Sequence, residues 1–103
     1  MAKHDGTLRV VVFQDCGLWV AQCLEHDIGA QAADIDTLMA RLEVTVKAEI
    51  AESIERHGKP FAGIAAAPER FHQMWERRVR AVEMSPASWM RQAAENVALG
   101  LVA

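Results

Sequence analysis

The sequence predicts an α+β fold: a small three- to four-stranded, mostly antiparallel sheet packed on one long helix in the order β-β-β-α, followed by a C-terminal helical hairpin. Three features carry that expectation. Two runs rich in β-branched and aromatic residues flank a tight-turn signal. A long capped segment repeats its apolar residues at helical spacing. Near the end, two amphipathic stretches each begin at a proline.

The first run, 8–14, meets Asp15-Cys16-Gly17, and 18–27 is apolar again, which reads as a hairpin. A two-residue loop at Cys16-Gly17 sets Trp19 against Gln14, Ala21 against Val12 and Cys23 against Val10; a three-residue loop shifts each pairing by one. Leu8, Val10 and Val12 alternate with Val11 and Phe13, so both faces of this strand need cover. One cover is a helix, and the other is a second copy of the chain or the C-terminal segment. A short third strand over 28–33 leads to Asp34, an N-cap whose carboxylate accepts from the free amides of the next turn.

The helix expected over 34–57 buries Ile35, Leu38, Met39, Leu42, Val46, Ile50 and Ile54 and turns Arg41, Glu43, Lys47, Glu52 and Glu55 outward. Gly58 suits a left-handed stop, and Pro60 cannot continue the helix. The stretch 61–67 is a short edge strand or a linker. Pro68 opens a second helix with Phe71, Met74, Trp75, Val79 and Val82 as its stripe. Ser85-Pro86 opens a third, carrying Trp89, Met90, Ala93, Val97 and Leu101. The chain thus divides into an α/β domain over 1–62 and a two-helix extension over 63–103.

At 103 residues and 51% hydrophobic, the chain has material for one modest core and none for a second real domain. No apolar stretch approaches the roughly 20 residues that cross a bilayer, and the first residues lack the apolar core of a signal peptide, so a cytoplasmic protein without a membrane partner is expected. Cys16 and Cys23 fall at a turn and in mid-strand, too far apart to bridge. The absence of Tyr and the net charge of −3 argue against whole-surface nucleic-acid binding. Charge is uneven, however. The first 58 residues carry five basic and ten acidic side chains, the remainder six and four, with Arg77, Arg78 and Arg80 clustered.

Glu25, Asp27, Asp34 and Asp36 gather around the third strand and helix start, where they read as strand-end charges, helix-capping groups or an acidic rim for a basic partner rather than a metal site. Cys23 and His26 have half of a zinc pattern, but a separation of three on a strand sends them to opposite faces. Gly58-Lys59 lacks the glycine run and the hydroxyl residue of a phosphate loop. No catalytic residue, metal or cofactor is expected.

The words Trp19-Val20-Ala21-Gln22-Cys23-Leu24-Glu25, then Gln31, the capped helix and Gly58-Lys59-Pro60, resemble the HicB-like antitoxin family over roughly residues 8–62. The family commonly reads Gln-Gly-Asp-Thr before the helix; here the residues are Gln31-Ala32-Ala33-Asp34. The resemblance implies a truncated ribonuclease-H-like sheet without catalytic carboxylates. It also implies a non-enzymatic inhibitor whose partner is HicA, a small basic mRNA-cleaving toxin with a double-stranded-RNA-binding-like fold. Solitary HicB-like proteins without a toxin share this pattern. Under this reading Trp19, Glu25 and Asp27 are the partner-binding residues, and a homodimer is expected because both sheet faces are apolar. The competing expectation is a DNA-binding autoregulator built like a ribbon-helix-helix protein, touching nucleic acid through Arg77, Arg78 and Arg80. Its would-be ribbon, 61–67, has no side chain suited to base edges.

Overall fold

The structure, a computed structural model, describes residues 6–84 and 94–102. The elements are β1 (Thr7–Asp15), β2 (Leu18–Cys23), β3 (Gly29–Ala32), α1 (Ile35–His57), α2 (Glu69–Glu76), β4 (Arg80–Met84) and β5 (Asn96–Leu101). The strands form one mixed sheet in the order β3-β2-β1-β5-β4, antiparallel throughout except for the parallel β1–β5 pair.

The hairpin takes the two-residue alternative. Cys16 and Gly17 both adopt positive φ, 53° and 81°, as the turn that matches strand twist requires. The register follows, with Gln14 opposite Trp19, Val12 opposite Ala21 and Val10 opposite Cys23. Helix α1 also begins and ends where its caps dictate. The Asp34 carboxylate accepts from the Thr37 backbone N–H at 2.8 Å, and Gly58, at φ 82°, donates its N–H to the Ile54 carbonyl at 2.8 Å.

Among the described residues the expected C-terminal helical hairpin is not formed. Helix α2 ends at Glu76, Val79 lies between elements, and Val82 belongs to β4. Ser85, Pro86, Trp89, Met90 and Ala93 lie outside the described residues, whereas Val97 and Leu101, assigned to the same third helix, are in β5. A spacing of four is common to one helical turn and two strand repeats, so Val97 and Leu101 fit both periods. Leu99 between them decides for the strand, because 97, 99 and 101 share one face. The segment 61–67 is turn and coil, not a strand.

Strand β5 joins the sheet beside β1 and β4 pairs outside it, so two C-terminal strands extend the sheet where helices were expected. Three packed layers result, the sheet with a helix on each face. On one face α1 brings Leu38, Leu42, Val46 and Ile50 onto Val10, Val12, Ala21, Cys23 and Ala32. On the other, Phe71 and Trp75 of α2, with Ala67, cover Val11, Leu24 and Ala98. Val10, Val11 and Val12 are each at most 3% exposed, so the two-sided apolarity of β1 is satisfied within one chain. The sheet-face argument for a homodimer therefore falls: of the two expected covers, the C-terminal half supplies the second.

Candidate interaction surface

The sequence-predicted contact residues do not form one patch. Trp19 sits near the hairpin end of β2, half-buried at the margin of the α1-side core. Glu25 lies just past the opposite end of that strand. Its carboxylate accepts from the Arg9 backbone N–H at 2.8 Å and from Arg9 Nε at 2.6 Å, and the two side chains are only 25% and 15% exposed. Glu25 is thus committed to an internal ion pair. The hairpin register carries the signal for this pair: continued by one step beyond Val10 and Cys23, it brings Arg9 beside Leu24, whose N–H donates to the Arg9 carbonyl at 2.9 Å. Asp27 alone stays exposed, with its carboxylate accepting from Gln22 Nε2 at 2.9 Å and its N–H donating to the Ala65 carbonyl at 2.7 Å.

The three clustered arginines are all exposed and occupy a helix-to-strand junction. Arg77 caps α2, Arg80 opens β4, and Arg78 places its guanidinium carbon 4.4 Å from the Trp75 ring while Nη1 donates to the Trp75 carbonyl at 2.8 Å. Arg9 approaches the same ring at 5.7 Å, so the indole carries two cations. A ribbon-helix-helix unit needs a strand before the first helix and a second helix after it. Here coil precedes α2 and β4 follows it, so that route to DNA is not built.

The titratable groups near the turn after β2 serve structure. Burial, reinforced by the charge of Glu25, pushes the Cys23 thiol up to about 12, while Cys16 is exposed at the hairpin turn. His26 stacks on Phe61 with ring centroids 4.1 Å apart and 13° between planes. Burial lowers its pKa, against a backbone hydrogen bond with Ile64 and the charge of Glu25, and its Nδ1 is buried without a partner. This stack, the Phe61 N–H bond to Ser53 Oγ at 2.7 Å and the Asp27–Ala65 bond hold 61–65 against α1 and the turn after β2. Among the described residues no three His, Cys, Asp or Glu side chains converge as a metal site.

The surface that the sequence did not single out lies between α1 and the sheet edge. A groove of about 370 Å³ runs between Ala30 and Gln31 of β3 and Thr37, Ala40, Arg41 and Val44 of α1. Its side chains are small where the helix faces the strand, and Val44 is 68% exposed. Val44 is the discoverable signal: a β-branched apolar residue on the helix face otherwise given to Arg41, Glu43, Lys47, Glu52 and Glu55. Along α1 the exposed charges have both signs, Asp36, Glu43, Glu52 and Glu55 with Arg41, Lys47 and Arg56, and Ile35 and Ile54, expected to be buried, are 38% exposed near its two ends. Comparison with protein-family models, with curated protein sequences and with solved structures gives no match to this chain.

Proposed function

We propose that this chain is a HicB-like, non-enzymatic protein-binding module that neutralises a HicA-type mRNA-cleaving toxin in the cytoplasm. The observation that supports this reading is the outer surface of α1 and its flank. Val44 is exposed beside the groove, flanked along the helix by Arg41 and Lys47, while Asp27, Asp34 and Asp36 are exposed at the two ends of β3. An apolar groove with carboxylates at the ends of its strand suits a basic protein partner: the groove supplies contact area, and the carboxylates steer approach. With Glu25 bound to Arg9, the contact belongs on this surface and on Asp27 rather than on Glu25. Self-association, where it occurs, has the β4 edge available, with Val79 and Val82 69% and 46% exposed.

The test is co-expression of the full chain with the product of the neighbouring reading frame, followed by purification across a salt series and an RNA-cleavage assay. The expected result is a stoichiometric complex, weaker at high salt, in which cleavage is suppressed. Absence of a complex at low salt overturns the antitoxin reading. Salt-sensitive, sequence-selective binding of promoter DNA that disappears on replacing Arg77, Arg78 and Arg80 replaces it with a regulator.

A further inference from the structure

The edge of β3 has three properties that combine into a more specific surface. Among the described residues β3 is the last strand of the sheet, so nothing pairs with its outer side. The Cys23 N–H donates to the Ile28 carbonyl at 2.9 Å, which makes that pair a hydrogen-bonded one, and alternation gives the same role to Ala30 and Ala32. Gly29 and Gln31 therefore direct their backbone N–H and C=O groups outward. Arg41 confirms the parity, because its Nη1 donates to the Gln31 carbonyl at 2.9 Å. Three of the four outward groups remain available.

The groove beside this edge is walled by Thr37, Ala40 and Val44, small or apolar enough to admit a strand whose alternate side chains rest on α1. Its ends are acidic. Asp27 precedes β3, and Asp34 and Asp36 follow it, all exposed, while Arg41 is the one charged side chain of the groove lining. The other sheet edge, β4, carries both Arg80 and Glu83 and offers no such selection.

We infer that the β3 edge and the α1 groove take up an extended segment of a basic protein, which adds a sixth strand through Gly29 and Gln31 and sets lysine or arginine at its ends against Asp27, Asp34 and Asp36. This rests on the reading of the chain as a protein-binding module and names the surface used. The incoming strand displaces Arg41 from the Gln31 carbonyl, so the arginine acts as a removable guard on an otherwise open edge.

The probe is a synthetic peptide of alternating valine and threonine with lysines at both ends, titrated into the isotopically labelled full chain. Amide shifts are expected along Gly29–Ala32 and on the facing side of α1, with slowed exchange at Gly29 and Gln31. Gln31→Pro removes an outward donor and leaves the ladder to β2 intact, so affinity falls about ten-fold, the equivalent of one hydrogen bond. Val44→Lys, at an exposed helix position that tolerates it, weakens binding by several-fold and serves as the second variant. A peptide N-methylated at alternate residues does not bind, and glutamate in place of lysine weakens it. Shifts confined to β4, or equal binding by the N-methylated peptide, overturn the proposal. Peptide binding without any toxin complex leaves this surface standing and removes the antitoxin reading. A toxin complex indifferent to both Gln31→Pro and Val44→Lys does the reverse.

Discussion

Gly100→Ala is the sharpest test of how α2 docks. Gly100 has no left-handed φ, so backbone strain is not at issue; the constraint is the indole above it. A Cβ at position 100 would lie 2.7 and 2.8 Å from Cζ3 and Cε3 of Trp75 and 3.1 Å from Cδ of Arg78. Carbon atoms pack at about 3.5–4.0 Å, so the ring must retreat by close to 1 Å. It has little freedom to do so, being 7% exposed and flanked by Arg9 and Arg78. Overpacking of this kind costs about 1–3 kcal/mol, and the lost freedom of the unfolded glycine returns roughly 0.4–1 kcal/mol, leaving a net destabilisation of about 1–2 kcal/mol. For a domain of this size that lowers Tm by roughly 5–10 °C. Urea unfolding followed by far-ultraviolet circular dichroism measures it without relying on the perturbed indole. In a Trp75→Leu background, itself destabilised, the added methyl group finds room and its cost disappears, a coupling of at least about 1 kcal/mol. A neutral Gly100→Ala, or an equal penalty in both backgrounds, refutes the packing assigned to α2.

Thiol titration of the native protein should show Cys16 reacting rapidly and Cys23 only on unfolding, since burial holds the latter protonated well above physiological pH. His26 has a folded pKa below its ordinary 6.5, so the unfolded chain binds the proton more readily; its contribution is complete above pH 6.5 and is lost as pH falls through the lowered value. His26→Gln should flatten the stability profile over that window, as read by denaturant midpoints at successive pH values. Glu25→Gln leaves Arg9 largely buried without its charge partner and should cost about 1–3 kcal/mol, whereas Asp27→Asn should stay within about 0.5 kcal/mol. Equal effects in a thermal-unfolding comparison would contradict the distinction between the two acids.

What was legible in the sequence is what local chemistry encodes. Cys16-Gly17 placed the turn but left two registers, between which the positive φ of both residues decides; Asp34 and Gly58 bounded α1; the apolar residues at three- and four-residue spacing identified its buried face except at Ile35 and Ile54, near its ends. The C-terminal half was misread because its structure depends on distant partners. Val97 and Leu101 alone fit a helix and a strand equally, Leu99 tips them to the strand whose partner is the distant β1, and Gly100 acquires meaning only through Trp75. The ion pair of Glu25 went unread for a related reason. Glu25 looked like a free strand-end charge, yet the hairpin register continued one step sets Arg9 opposite Leu24, the chain neighbour of Glu25, which brings the two charges within reach.

The way the sheet is covered also determines where a partner can bind. Because α1 and α2 together bury both faces of β1, the apolar strands that first suggested a contact surface are spent on the fold itself. What remains for recognition is the edges and the outer face of α1. There the long helix has two jobs that its sequence separates cleanly: Leu38, Leu42, Val46 and Ile50 hold the sheet, while Ala40 and Val44, on another side of the same turns, keep the β3 edge approachable. Acids at the ends of β3 then favour a basic segment, and Arg41 keeps the edge from pairing indiscriminately by occupying one of its carbonyls. A bulkier side chain at Ala40 would close the groove without touching the core, so recognition at this edge and stability of the fold can vary independently.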